Sequence, residues 1–319
     1  MRVIEGLEHL LALDLPTLHG ETRQARSAVT VGVFDGVHLG HLRLVHELVE
    51  MAAALDAVPT AITFRAHPDL LLRGAAPALL VSVPHRLRLL RRAGVQRLVL
   101  LDFDDRLRAF TAADFATRIL VGALHARGLL LGFDAALGKD REGTPAAFAA
   151  LGAQLDFRVR TAAPLLVDGE PISSTAIRTA VTAGDLPRAT RLLGRYPSAF
   201  GTVEHGAGRG RNLGFATANL APQSSVLPPH GVYAVHVIHG GETYPGVANL
   251  GRRPTFTGPD APALLEVHLL AWSGDLYGAP LEIGFVERLR DERTFAGPDD
   301  LRAQIARDVA RATAVLSDE

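Results

Sequence analysis

The 319-residue chain contains no cysteine, and Lys139 is its only lysine. The first absence removes disulfides, thiolate nucleophiles and cysteine-ligated zinc together, and fits a reducing compartment. The second excludes a P-loop, whose G-x-x-x-x-G-K-[ST] frame "LGKD" does not supply. Neither sign of charge is in excess. A formal net charge of −1 gives no global field for gripping nucleic acid or an anionic membrane. No apolar run approaches the ~18 residues of a membrane span. The opening "MRVIEGLEHLLALDLP" has three acidic residues and neither the basic segment nor the small-residue cleavage site of a signal peptide. These absences lead us to expect a cytoplasmic protein that works on small molecules, without nucleic acid or membrane; a homo-oligomer is compatible with them.

What is present suits a packed protein. Apolar residues make up 48% and charged ones 21%, enough to build a sizeable core, and the length suits two domains. From about Ser27 to Asp185, β-branched apolar runs ("VTVGVF", "VPTAITF", "VQRLVLLDF", "RGLLLGF", "DFRVRT") alternate with segments of helical periodicity ("HLRLVHELVEMAAAL", "PHRLRLLRRAG", "TAADFATRILVGALHA", "TPAAFAALGAQL"). That alternation predicts an α/β domain with a parallel sheet covered on both faces. Beyond "GDLPRATRLLGRYPSAFG" glycines and prolines multiply and short strands follow at close spacing ("GVYAVHVI", "YPGVANLG", "LLEVHLLAW", "LEIGFVERL"). This predicts a small antiparallel β-barrel or sandwich, closed by a terminal helix in "PDDLRAQIARDVARATAVL". The expected domains are residues 1–184 and 185–319.

The first stretch with chemistry in it is "GVFDGVHLGH", where the strand "SAVTV" hands over to a helix. Gly32, Phe34, Asp35 and Gly36 make a glycine-punctuated turn, and His38 and His41 straddle Gly40. Strand-to-helix turns of this kind present backbone N–H groups and a helix N-terminus to an anion. Two imidazoles there, with no side chain at Gly40, suit a phosphate chain whose transfer needs charge stabilisation more than covalent help. Zinc competes for the same pattern, but H-x-x-H supplies two ligands and lacks the glutamate of H-E-x-x-H. Taken alone, the pair is equally consistent with two surface histidines on a first helical turn.

Further segments follow in order: "GFDAALGKDREGT", "ISSTAIR", "GRGRNLGFATANL", "VANLGRRPTF", "LEVHLLAWSGDLYG" and "RLRDERTF". With "GVFDGVHLGH" they resemble, over nearly the whole chain, the bacterial bifunctional riboflavin kinase/FAD synthetase family. The resemblance implies a Rossmann-like nucleotidyltransferase domain that adenylylates FMN to FAD, followed by a riboflavin kinase domain that makes FMN, each using ATP, with Mg²⁺ as cofactor. In the first domain it implies that His38 and His41 contact the ATP phosphates, with Gly40 permitting close approach. Ser174, Thr175 and Arg178 would meet the same phosphates, and Asp134, Lys139 and Arg141 would belong to the flavin and nucleotide loop. The residues agree: "SST" reads as a helix-capping cluster, and Arg178 offers a fork of donors one turn on. In the second domain it implies a phosphate loop with Gly208, Gly210, Arg211 and Gly214, a Mg²⁺ and phosphate site at Thr217 and Asn219, and Glu266 as the base near the riboflavin hydroxyl. Arg253, Arg288, Arg290 and Asp291 would contact nucleotide or flavin.

The chain departs from the family pattern at several points. "TFRAHP" places Arg65 and Ala66 where the family has Glu-Pro; Ala135 and Leu137 replace two aromatics, Ala216 a proline and Ala271 an aspartate. Trp272, the only tryptophan, reads either as a flavin-side aromatic or as a barrel-core residue. Two rival readings follow from the residues: a nucleotidyltransferase with another phosphate acceptor, and a flavin-binding regulator that has lost turnover.

Overall fold

The strands Ser27–Val31, Val58–Phe64 and Arg97–Leu101 are buried along their whole length, as a parallel sheet covered on both faces requires. The computed structural model describes residues 1–13, 26–205, 215, 217–223, 226–252, 263–270 and 272–317. They form two compact units, Met1–Ala78 with Val83–Ser173, and Leu79–Ser82 with Ser174–Glu319.

The first unit runs β1 (Arg2–Glu5), α1 (Leu7–Leu11), β2 (Ser27–Val31), α2 (Leu39–Ala54), β3 (Val58–Phe64), α3 (Asp69–Arg73), α4 (Val83–Arg92) and β4 (Arg97–Leu101). It continues through α5 (Asp105–Arg108), α6 (Ala112–Asp114), a π-helical segment Phe115–Ala123, β5 (Ala126–Leu131), α7 (Pro145–Leu155), β6 (Arg158–Thr161) and a hairpin of β7 (Leu166–Val167) and β8 (Glu170–Pro171). The six-stranded sheet has the order β1-β4-β3-β2-β5-β6, and every pairing in it is parallel. From β2 the chain first winds one way, through β3 and β4, and later the other way, through β5 and β6. The reversal lies between β2 and β5. In open α/β sheets the ligand crevice lies at such a point, beyond the strands' carboxyl ends. Thr30 pairs with Leu130, so Gly32 and Gly132 leave the sheet on adjacent strands at one level. Two of the motifs singled out from the sequence begin there.

The second unit holds α8 (Ser174–Ala183), α9 (Leu186–Leu193), β9 (Ser198–Glu204), β10 (Ala218–Leu220), β11 (Gly231–His239), β12 (Glu242–Arg252), β13 (Ala263–Leu269), β14 (Pro280–Arg290) and α10 (Pro298–Ser317). Its strands close into an antiparallel barrel, β10-β13-β12-β11-β14-β9, which resolves the choice between barrel and sandwich. Closure removes the unpaired edges that a short sandwich would carry. Tyr233, Val235, Ala248, Leu250, Leu265, Val267, Ile283 and Phe285 belong to the buried barrel core. The intervening Val232, Ala234 and Val247 pack instead with Ala312 of α10, so the terminal helix covers one outer face. A bidentate pair anchors it: Arg290 Nε and Nη2 donate to Asp308 at 2.8–3.1 Å.

Candidate active sites

The turn after β2 is built from unusual backbone. Phe34, Gly36 and Val37 have φ of 53°, 79° and 41°. For a β-branched residue such as Val37 this is strained, at about 1–3 kcal/mol, and persists only where its surroundings over-determine it. Phe34, Asp35, Val37 and His38 are all buried. His38 is the N-cap of α2, and its Nδ1 accepts from the His41 N–H at 3.3 Å. That bond commits Nδ1 as an acceptor, so the proton of a neutral His38 ring sits on Nε2. The His38 and His41 rings stack at 3.6 Å between centroids, and Phe34 meets His41 edge-on at 5.2 Å. A Cβ on Gly40 would lie 3.2 Å from His38 Nδ1 and Cε1. The glycine between the histidines therefore makes room for the first imidazole to fold back over the helix start.

Beneath this turn lies a residue that sequence reasoning passed over. Arg86 of α4 is only 1% exposed, and its guanidinium donates to the Val33 carbonyl at 2.7 Å and to the Phe64 carbonyl. Thr63 Oγ1 also donates to Val33 O, at 3.1 Å. Burial pushes the Arg86 pKa down, and the Asp35 charge opposes that shift. The signal was present: Arg86 precedes the buried Leu89 and Leu90 by three and four residues, which places it on the inward face of the helix.

The loop after β5 carries Asp134, Lys139 and Arg141, all exposed. It is closed by reciprocal backbone bonds between Leu137 and Gly143, at 3.1 and 2.8 Å, and tied to the sheet unit where Lys139 N donates to Phe110 O at 2.7 Å. Asp140 and Arg141 have φ of 54° and 60°. Ala135 and Leu137 pack against the core of the first unit, while the neighbouring Phe133 is 51% exposed. At the other departure, Arg65 pairs with Glu5 at 2.8 Å and Asp102 at 3.3 Å. Ser174 and Thr175 are the first residues of α8, with Arg178 one turn on.

On the barrel, β13 alternates as expected, with Leu265, Val267 and Leu269 buried and Glu266 exposed. Glu266 stands opposite Asn219 of β10 on one side and Asn249 of β12 on the other. A row of amide and carboxylate side chains thus crosses three strands on the outer face. Asn249 Nδ2 donates to Glu292 at 3.3 Å, and Gly251 leaves the space that the Glu292 carboxylate occupies. Thr217 is exposed just before β10. Arg288 pairs with Asp291 at 2.7 Å, whereas the Arg290 guanidinium is taken up by Asp308. Trp272 packs against the barrel core, edge-on to Tyr244 at 4.9 Å, in keeping with the second of its two readings. The expected Gly208, Gly210, Arg211, Gly214 and Arg253, with the departures Ala216 and Ala271, lie outside the described residues.

A stacked histidine pair at the switch point of a parallel sheet, and a polar row on a separate closed barrel, are two candidate sites on two folds, the arrangement of a two-site transferase that uses nucleotides. A sequence model of FAD synthetase matches residues 20–176, and one of riboflavin kinase matches residues 193–316. The chain is 40% identical over 308 residues to the bifunctional riboflavin kinase/FMN adenylyltransferase of Pseudomonas fluorescens, covering 94% of this chain and 96% of that one. The enzyme of the same description from Haemophilus influenzae is 38% identical, over 94% of this chain and 98% of its own. This chain belongs to the bifunctional riboflavin kinase/FMN adenylyltransferase family. A crystal structure described as a macrolide-efflux protein from Streptococcus pneumoniae also matches, with TM-score 0.79 and 30% identity over 97% of this chain and 99% of that one. Among the described residues no helix is long and apolar enough to cross a membrane.

Proposed function

We propose that the barrel unit phosphorylates riboflavin to FMN at the Asn219–Glu266 row, and that the sheet unit adenylylates FMN to FAD at the His38–His41 turn. The observation that carries this reading is the coincidence of each family match with one of the two folds, the first on the sheet and the second on the barrel. A domain boundary at 184/185 falls between the matched segments.

In the kinase step Glu266 accepts the proton of the primary hydroxyl of riboflavin as that oxygen attacks the γ-phosphorus, and ADP leaves. Thr217 and Asn219 offer a hydroxyl and an amide oxygen, both hard donors. Among the described residues no group of three or more His, Asp or Glu could hold a metal. So sparse a donor set suits Mg²⁺, which keeps waters and shares the phosphates of its nucleotide. Held there, it would neutralise charge on the β- and γ-phosphoryl oxygens.

In the adenylyl step a phosphate oxygen of FMN attacks the α-phosphorus of ATP, and pyrophosphate leaves. His38 donates from Nε2 to the phosphoryl oxygens and His41 stabilises the same charge, with the first turn of α2 behind them. Asp134, Lys139 and Arg141 line the flavin and nucleotide loop, while Ser174, Thr175 and Arg178 open α8 and belong to the barrel unit. We place the enzyme in the cytoplasm, acting on small molecules alone. The test is to follow the label: γ-labelled ATP should mark FMN made from riboflavin, and α-labelled ATP should mark FAD made from FMN. Label from the α-phosphate in FMN, or none in FAD, would overturn the assignment.

A further inference from the structure

The Arg86 side chain poses a question that the two activities leave unanswered. A guanidinium buried this completely is costly unless its donors are met. Here Nη1 and Nη2 are met by two main-chain carbonyls at the ends of neighbouring strands, while Nε has no hydrogen-bond partner among the described residues. Phe64 is the last residue of β3, and Val33 lies two residues beyond β2. The last ladder bond between these strands is Gly32 N to Ile62 O, at 3.1 Å. Past that bond the Val33 carbonyl is held by the Thr63 hydroxyl of β3 and by the Arg86 fork, which also reaches the Phe64 carbonyl. A planar fork can bridge two carbonyls in this way, whereas an ammonium acts as a point charge.

The clamped carbonyl belongs to the peptide that opens the turn. A trans peptide directs its N–H opposite to its C=O, so with Val33 O held by Arg86 and Thr63, the Phe34 N–H points away from both. The next residues adopt the positive-φ conformations of Phe34, Gly36 and Val37 and run directly into His38. Such a turn keeps its shape only when it is held from outside.

We propose that Arg86 is a positioning residue for adenylyl transfer: by clamping the Val33 and Phe64 carbonyls it holds the Phe34–Val37 turn so that the Phe34 N–H, His38 and His41 converge on the phosphates of ATP. This rests on the assignment of FAD formation to the sheet unit, and wild-type enzyme that makes no FAD from FMN would sink that assignment first. The tests are Arg86→Lys, Arg86→Met and Thr63→Val in the full chain, with kcat, KM for FMN and binding of FMN by quenching of its fluorescence. Loss of positioning should lower kcat for FAD formation by about 100-fold in Arg86→Met and about tenfold in Arg86→Lys, with KM and binding of FMN within about threefold of wild type. A merely structural role would weaken FMN binding along with turnover and would leave lysine no better than methionine. Thr63→Val, which keeps the shape and removes one donor to the same carbonyl, should lower kcat by about fivefold. If Arg86→Met does not fold, the other two variants decide: wild-type kcat in both, or parallel loss of kcat and FMN binding, overturns the proposal.

Discussion

Gly40→Ala separates the placement of the histidine pair from the stability of the helix that carries it. An added Cβ would lie 3.2 Å from His38 Nδ1 and Cε1, so the imidazole must retreat by a few tenths of an ångström. It has little slack, because its cap bond to His41 N–H is already 3.3 Å and its stack on the His41 ring is 3.6 Å. Weakening the cap costs about 1 kcal/mol, and replacing a helical glycine by alanine contributes about 1 kcal/mol in the other direction. The two terms offset, so the Tm should stay within about 3 °C of wild type. Catalysis has no such compensation: a misplacement of about 1 Å costs about 100-fold, so a shift of a few tenths should lower kcat/KM for FAD formation by about tenfold. The assay is steady-state conversion of FMN to FAD beside a thermal melt, with riboflavin phosphorylation by the same chain as the internal control. A rate within about twofold of wild type at unchanged Tm would refute the reasoning, because the glycine would then not be setting the histidine.

Other perturbations reach the rest of the molecule. Glu266→Ala should abolish phosphorylation of riboflavin and leave adenylylation of FMN intact; loss of both together would mark Glu266 as structural. Asp308→Ala leaves Arg290 without its carboxylate at a mostly buried contact. It should destabilise the barrel unit by about 3 kcal/mol, read as a lower denaturation midpoint. Asp114 accepts from the Thr111 N–H and hydroxyl, which hold its carboxyl below the usual range. Its contribution should be full above the unfolded value and fade as the pH falls through the depressed one; Asp114→Asn should remove that part of the acid-side slope in a pH series of melts. Ala135→Phe should tighten FMN binding, by about 0.5–1.5 kcal/mol, if the added ring reaches the flavin. Unchanged affinity would place the loop away from it.

Much of this was legible from residue order alone, and the misses have physical causes. Strands β2 to β5 announced themselves as continuous apolar runs because a parallel sheet buries both faces. β1 did not: it is an edge strand of four residues whose Val3 is 37% exposed, leaving too few buried positions to make a pattern. β10 is shorter still, three residues, yet it carries Asn219. The π-helical turn at Phe115–Ala123 was unreadable because Phe115, Ala116, Ile119, Leu120 and Ala123 are spaced as on any buried helix face. The histidine pair was visible as a motif, since a turn, a glycine and a capping residue are local features. Arg86 was overlooked because it stands among Arg88, Arg91 and Arg92 in one helix, where arginine ordinarily means solvent, although its spacing from Leu89 and Leu90 marks the inward face. Only the fold brings it beneath the turn.

The most direct test of the account is to incubate the full chain with ATP and Mg²⁺, once with riboflavin and once with FMN, and to separate the flavins by chromatography. The account predicts FMN and FAD from riboflavin, and FAD with pyrophosphate from FMN. Binding of both flavins without any product would contradict it, and would leave a flavin-binding protein in place of a two-step enzyme.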